Sequence, residues 1–172
     1  MSLDIPTFTT ERLRLTAFDE ERHFEGVAAF FADPVSATYG GPCDRADAWR
    51  KFATYLGHWV IRGYGPWAVE TRAAGEFVGI VGPWYPEGWP EPEITWALLP
   101  AQHGRGYATE AAGAALSAAY DVFGWTTATS VIASGNTPSI AVAERLGAVR
   151  QAEVGYRYGA AYLYRHRPPS PR

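Results

Sequence analysis

The stretch Leu98-Leu99-Pro100-Ala101-Gln102-His103-Gly104-Arg105-Gly106-Tyr107-Ala108-Thr109-Glu110 carries a short apolar strand through two glycines directly into an alanine-rich helix. The first amides of a helix have no intrahelical acceptor, and the aligned peptide dipoles put partial positive charge at that end. Gly104 and Gly106 place no side chain in the way and reach backbone conformations closed to other residues. Several N–H groups can therefore converge on one anion, with the charge of Arg105 between the glycines. Hydrogen bonds to charged oxygens contribute about 1.5–3 kcal/mol each, so a few of them anchor a pyrophosphate without a metal. The other reading of these residues is an ordinary turn that ends a strand.

A chain of 172 residues fills one core. Its 7 Trp, 10 Tyr and 8 Phe are many for this length; some belong to the core, and the total leaves room for an aromatic-lined pocket. A net charge of -3 gives no reason for binding a polyanion, and Arg12, Arg14, Arg45, Arg50 and Lys51 alternate with acids instead of forming a stripe. Nucleic acid is not expected as a partner. The lone Cys43 cannot form an internal disulfide, which suits a reducing cytoplasm. Met1-Ser2-Leu3-Asp4-Ile5-Pro6 lacks the basic and then apolar regions of a signal peptide, and no run of about 18 apolar residues marks a membrane span. The expectation is a cytoplasmic protein with no membrane partner. His23, His58, His103 and His166 are dispersed, and no ligand spacing suggests a metal.

Periodicity predicts a strand over 9–16, a helix over 22–32 with Asp19 as its cap, and a second helix from Asp44 or Arg45 to Arg62. Further strands are expected at 67–70, 77–81 and 93–99, the last leading into the glycine turn and a helix over 107–123. A strand over 126–133, a short helix over 139–146 and strands at 149–155 and 160–165 follow. Pro168, Pro169 and Pro171 suggest a loose tail. No repeat or linker divides the chain, so a single domain over 9–167 is expected, with 1–8 and 168–172 as extensions. A mixed sheet covered by helices on both faces is the expected layering.

Four segments in order resemble the GCN5-related N-acetyltransferase (GNAT) superfamily, in particular its RimJ/RimL-like branch. They are Glu11-Arg12-Leu13-Arg14-Leu15; Glu93-Ile94-Thr95-Trp96-Ala97-Leu98; Gly104-Arg105-Gly106-Tyr107-Ala108-Thr109-Glu110-Ala111; and Asn136-Thr137-Pro138-Ser139 with Glu144-Arg145-Leu146-Gly147-Ala148. The resemblance implies an α/β (α+β mixed) fold: a mostly antiparallel, twisted mixed sheet of about six to seven strands with about four helices. A parallel pair in that sheet splays at the cofactor site, usually with a bulge in its first strand. The implied cofactor is acetyl-CoA (coenzyme A), its pyrophosphate on Gln102, His103, Gly104, Arg105, Gly106, Tyr107 and Ala108, with Thr109 also at the cofactor. Its pantetheine arm is expected along unpaired backbone of Ala97, Leu98 and Leu99, with Asn136 and Ser139 also at the arm. Ala101 stands where the family usually has Gln or Arg, so that side-chain contact is lost.

Acetyl transfer to an amine needs a neutral nucleophile, a polarised carbonyl and a proton for the leaving thiolate. By resemblance Glu93 is the candidate base, with Glu91 its competitor; the other reading of Glu93 is a solvent-facing strand residue. Backbone amides of Leu98 or Leu99 are candidates for stabilising the oxyanion. The family's tyrosine acid is missing, since Ala143 holds its slot. Ser139 matches the serine of RimL-like enzymes and is read as the acid or as a helix cap. Asn136 either meets the cofactor or holds its turn, and His103 faces either phosphate or solvent. Acceptor-site candidates are Phe31, Tyr39, Trp84, Tyr85 and Trp96, with Phe30 and Trp89 beside them. The expected function is acetyl-CoA-dependent acetylation of a primary amine, either a protein N-terminus or a small molecule such as an amino acid, by a monomer or homodimer. A non-catalytic acyl-CoA-binding module is the alternative.

Overall fold

Local signals in the sequence place most elements. In chain order they are strands β1 (Phe8–Thr9) and β2 (Leu13–Thr16), helices α1 (Glu20–Ala32) and α2 (Arg45–Arg62), and strands β3 (Trp67–Thr71), β4 (Phe77–Trp84) and β5 (Glu93–Leu98). Helix α3 (Tyr107–Asp121), strand β6 (Ala128–Ala133), helix α4 (Thr137–Arg145) and strands β7 (Val149–Tyr156) and β8 (Gly159–His166) complete the chain. The structure, a computed structural model, describes residues 4–156 and 159–168. Met1, Ser2, Leu3, Pro169 and Pro171 of the expected extensions lie outside the described residues.

The side chain of Asp19 accepts from the Arg22 amide and starts α1. Asp44 does the same for the Asp47 amide and starts α2. Each cap fills a donor that the first helical turn leaves unpaired, worth about 1 kcal/mol. The expected single strand over 9–16 is a hairpin instead, β1 against β2, because the chain turns at 10–12 and Thr10 donates its amide to the Leu13 carbonyl at 2.9 Å. That hairpin raises the strand count to eight.

The sheet order is β1-β2-β3-β4-β5-β6-β8-β7, and every pairing is antiparallel except β5 with β6. Alternation along the strands sends Leu13, Leu15, Val69, Ile94 and Leu98 to one face, where Ala111, Ala112, Ala115 and Ala119 let α3 lie close. Ala68, Ile80 and Ala97 point to the other face, under Phe24, Val27, Phe30, Phe31 and Phe52 of α1 and α2. Burying one such large side chain stabilises the fold by about 1.5–3 kcal/mol.

The expected bulge in the first splayed strand is absent. β5 pairs with β4 in unbroken register from Gly79↔Leu98 to Trp84↔Glu93, and the register shift nearby falls between Val69 and Glu70 in β3. β5 separates from β6 because their ladder stops after Glu93↔Thr129.

Candidate functional site

The turn before α3 is built as an open cradle. Gly104 and Gly106 have φ of +74° and +79°, a region side chains disfavour, and Gly106 stands at the N-cap of α3. Among the described residues no acceptor meets the amides of residues 104–109; Glu110 is the first to close the helix, onto the Gly106 carbonyl at 3.1 Å. A Cβ at Gly104 would touch nothing within 4 Å, and one at Gly106 only Arg12 Nη2 at 3.4 Å. The donors are therefore both unpaired and reachable.

Arg12 fixes this turn from β2's side of the molecule. Its Nη1 donates to the Arg105 carbonyl at 2.9 Å, its Nε to Glu110 at 2.7 Å, and its guanidinium lies 4.8 Å over the Tyr107 ring. Thr10 adds a hydroxyl donor to Glu110 at 2.6 Å. Burial pushes the Glu110 carboxyl up, but Thr10 and Arg12 outweigh it and hold the group below its ordinary range. An acid in the first turn of α3, beside the cradle, is thus held in an ion pair with Arg12, a role the sequence reading missed.

A groove of about 970 Å³ runs from this cradle along β5 to α4. Gln102, His103, Gly104, Gly106, Tyr107, Ala108 and Thr109 line it, together with Ala97, Leu98, Asn136 and Ser139. Arg105 and Leu99 do not. Among the described residues, the arginine that lines the groove is Arg145 at the end of α4, a residue quoted in the sequence motif and given no role there.

Along β5 the antiparallel alternation decides which backbone groups face the gap. Leu99 gives its amide to the Val78 carbonyl at 3.0 Å, so Leu99 and Ala97 pair toward β4 while Leu98 and Trp96 face away from it. The expectation of unpaired backbone from Ala97 to Leu99 narrows to Leu98, and Leu99 has no amide left for an oxyanion. Side chains cap the gap-facing carbonyls. The Tyr39 hydroxyl donates to that of Trp96, and His103 Nε2 donates to that of Leu98 at 3.0 Å. His103 Nε2 is accordingly engaged on β5, while the residue stays exposed and lines the groove, so its other nitrogen is open to a phosphate or to solvent.

Glu93 sits where the parallel ladder ends. Thr129 gives its amide to the Pro92 carbonyl at 3.0 Å, and regular pairing would next give the Val131 amide to Ile94. Instead the Glu93 carboxylate accepts from the Val131 amide at 2.9 Å, and the Ser130 hydroxyl donates to the Ile94 carbonyl at 2.6 Å. Two side chains thus stitch the seam from which the strands diverge. Glu93 is buried rather than solvent-facing. That burial raises its pKa to about 7, against the opposing pull of the Val131 amide and the Trp89 side chain. Its competitor Glu91 is held by Arg165 through two bonds of 2.8 and 2.9 Å.

A second cavity of about 500 Å³ opens on the other side of this seam, lined by Glu93, Trp84, Tyr55 and Lys51 among others. The two cavities share Tyr39, Trp96, Ala97, Asn136 and Ser139 as a common wall. Asn136 is the cap of α4, its side chain accepting from the Ser139 amide at 3.2 Å, so Ser139 is not the cap. Trp96 Nε1 donates to the Ser139 oxygen at 3.3 Å. Among the described residues the Ser139 hydroxyl has no acceptor, which leaves its hydrogen available to a ligand.

Of the acceptor-site candidates, Tyr39, Trp84 and Trp96 line this second cavity. Phe31 does not: it is packed in the core, 1% exposed, against Phe30. Tyr85 is also outside, its ring under the Arg62 guanidinium. The sequence reading missed His58, which holds the cavity wall. His58 Nδ1 donates to the Tyr64 carbonyl at 2.7 Å, Nε2 accepts the Tyr85 amide at 2.9 Å, and the ring stacks 4.8 Å from Trp84. Burial lowers its pKa and keeps it in this neutral form.

Residues 12–149 match the family described as Acetyltransferase (GNAT) domain. The chain is 32% identical over 146 residues to YkkB, an uncharacterised protein of Bacillus subtilis (strain 168), with 80% of this chain and 82% of that protein covered. The crystal structure of an acetyltransferase from Agrobacterium tumefaciens str. C58 is similar with a TM-score of 0.86 and 32% identity, over 97% of each chain. A protein of Bordetella pertussis described as a GNAT-family acetyltransferase is similar with a TM-score of 0.81 and 26% identity, over 95% of this chain and 100% of that one.

Proposed function

The chain belongs to the GNAT acetyltransferase family, and from that membership we propose that it moves the acetyl group of acetyl-CoA to a primary amine in a ternary complex. The observation that carries this reading is the shared wall: a groove ending in unpaired amides and a cavity holding a buried carboxylate meet at Ser139, Asn136 and Trp96. The residues present fit the cofactor. The diphosphate would rest on the amides of residues 104–109 with Arg145 beside it, and the arm would follow Leu98 toward Ser139. Acetyl-CoA supplies an activated acetyl group.

The chain's own groups do the rest. Glu93, ionised in about half the molecules near pH 7, accepts the proton that the amine loses as its nitrogen bonds to the acetyl carbon. The carbon–sulfur bond breaks in the same exchange. Ser139 donates its free hydrogen to the departing sulfur and regains one from solvent, while the Trp96 indole fixes its oxygen. Alignment of the two reactants across the shared wall supplies a further large part of the rate. We read the chain as one domain over 9–167 of the RimJ/RimL-like branch, for which a protein N-terminal α-amine is one acceptor class and a small amine or amino acid another.

Thiol release with acetyl-CoA across a broad amine panel tests the reading. Acceptor-dependent release at pH 8 is the expected result. Tight CoA binding without release from any amine would make the chain a binding module.

A further inference from the structure

Lys51 is the only lysine among the 15 Lys and Arg residues of the chain, and it lines the acceptor cavity from the middle of α2. Its ammonium lies 5.1 Å from the centroid of the Phe31 ring, at the core edge of the cavity. Among the described residues no carboxylate comes within 4 Å of it. The helical partner expected one turn earlier, Asp47, is bonded to Arg50 instead. The aromatic face beneath it attracts the charge and does not neutralise it.

Among the described residues, the other charged ones on this cavity are two acids, Glu93 at the β5–β6 seam and Glu87, which is exposed on the loop at its rim. Between the cation and the seam the walls are apolar and aromatic, formed by Tyr39, Tyr55, Ile80, Trp84 and Trp96. The cavity is therefore dipolar: an acid at the seam where the reacting nitrogen must sit, and an unneutralised cation on a separate element. A second cationic group on the acceptor would be repelled there, whereas an anionic one would complete the missing pair.

We infer that the Lys51 ammonium binds a carboxylate of the acceptor, so that the substrate is an amino-carboxylate with an apolar body and not a polyamine. This rests on the acetyltransferase reading for which molecule enters the cavity, and its test is separable from that reading. Trp84, Trp89 and Trp96 line the cavity, so binding is read by tryptophan fluorescence in the presence of CoA, without turnover. The probes are 5-aminopentanoate, 6-aminohexanoate and 8-aminooctanoate, whose apolar chains separate the amine from the carboxylate, each beside its amide and its decarboxylated amine, with spermidine added.

The wild-type protein should bind at least one amino-carboxylate at least tenfold more tightly than its amide and amine. Lys51→Met should abolish that preference and Lys51→Arg restore most of it, with CoA affinity and melting temperature unchanged in both. Equal binding within every set, tighter binding of spermidine, or a preference that survives in Lys51→Met would each overturn the inference. Discrimination that depends on Lys51 without thiol release from any acceptor would support it while removing the transferase reading.

Discussion

Replacing Glu93 by Gln removes the titrating group but leaves an oxygen to accept from Val131. As the proposed base, Glu93→Gln should lower kcat by about 10²-fold or more and leave the KM for acetyl-CoA unchanged. The rise of wild-type kcat through about pH 7 should vanish in the variant. The same shift has a stability sign. The folded pKa is raised from 4.5 to about 7, so folding favours the protonated carboxyl; that contribution is complete below about pH 4.5 and lost as pH rises through 7. At pH 8 Glu93→Gln should be more stable than wild type by about 3 kcal/mol, with little difference at pH 4.5; denaturant melts at the two pH values decide it. Glu93 and Ser139 were legible as residue types in motif slots. The roles of Lys51, His58, Arg145 and Glu110 were not, because each depends on which distant element it meets. For α4 the sequence offers two polar residues near the helix start, and the backbone there selects Asn136 as the cap.

Helix α3 shows the same division at the level of an element. Its glycine-marked start was legible because a strand, a left-handed turn and an alanine-rich helix each leave a local signature. Gly106→Val should weaken CoA binding at least tenfold by calorimetry, since a branched side chain disfavours φ +79°. An unchanged dissociation constant in a folded variant would remove the cradle from the mechanism. Helices α1 and α2 start where Asp19 and Asp44 announced them, for the reason that capping is a contact within a few residues. The missing bulge in β5 and the hairpin at β1–β2 were not readable. Strand register is set by neighbours far away in the chain, and the hydrophobic alternation of 9–16 is compatible with either a single strand or a tight return.

The whole molecule is held by interactions of that long-range kind. Glu70 of β3, fully buried, accepts from Arg14 of β2 at 3.1 Å, from Arg22 of α1 and from His23 Nε2 at 2.8 Å, while the Asp19 amide donates to His23 Nδ1. Burial alone would raise the Glu70 pKa; His23, Arg22 and Arg14 together keep it below 4.5. Its contribution is therefore present above about pH 4.5 and lost as pH falls through that depressed value. Glu70→Ala should cost about 2–3 kcal/mol at pH 7, less than a fully buried pair because both arginines are half solvated. The loss should shrink toward pH 3, as followed by thermal melts. The layering of helices on both faces was legible from alternation and composition, whereas nothing local announced that β8 would lie between β6 and β7. One consequence reaches across the entire sheet. The Val131 amide owes its acceptor to a group that changes charge near neutrality, so the line joining the first five strands to the last three is a thread whose tension varies with acidity. The rate at which that single amide trades its hydrogen for deuterium, corrected for intrinsic chemistry, becomes a gauge of the charge on Glu93 that can be read with no substrate present.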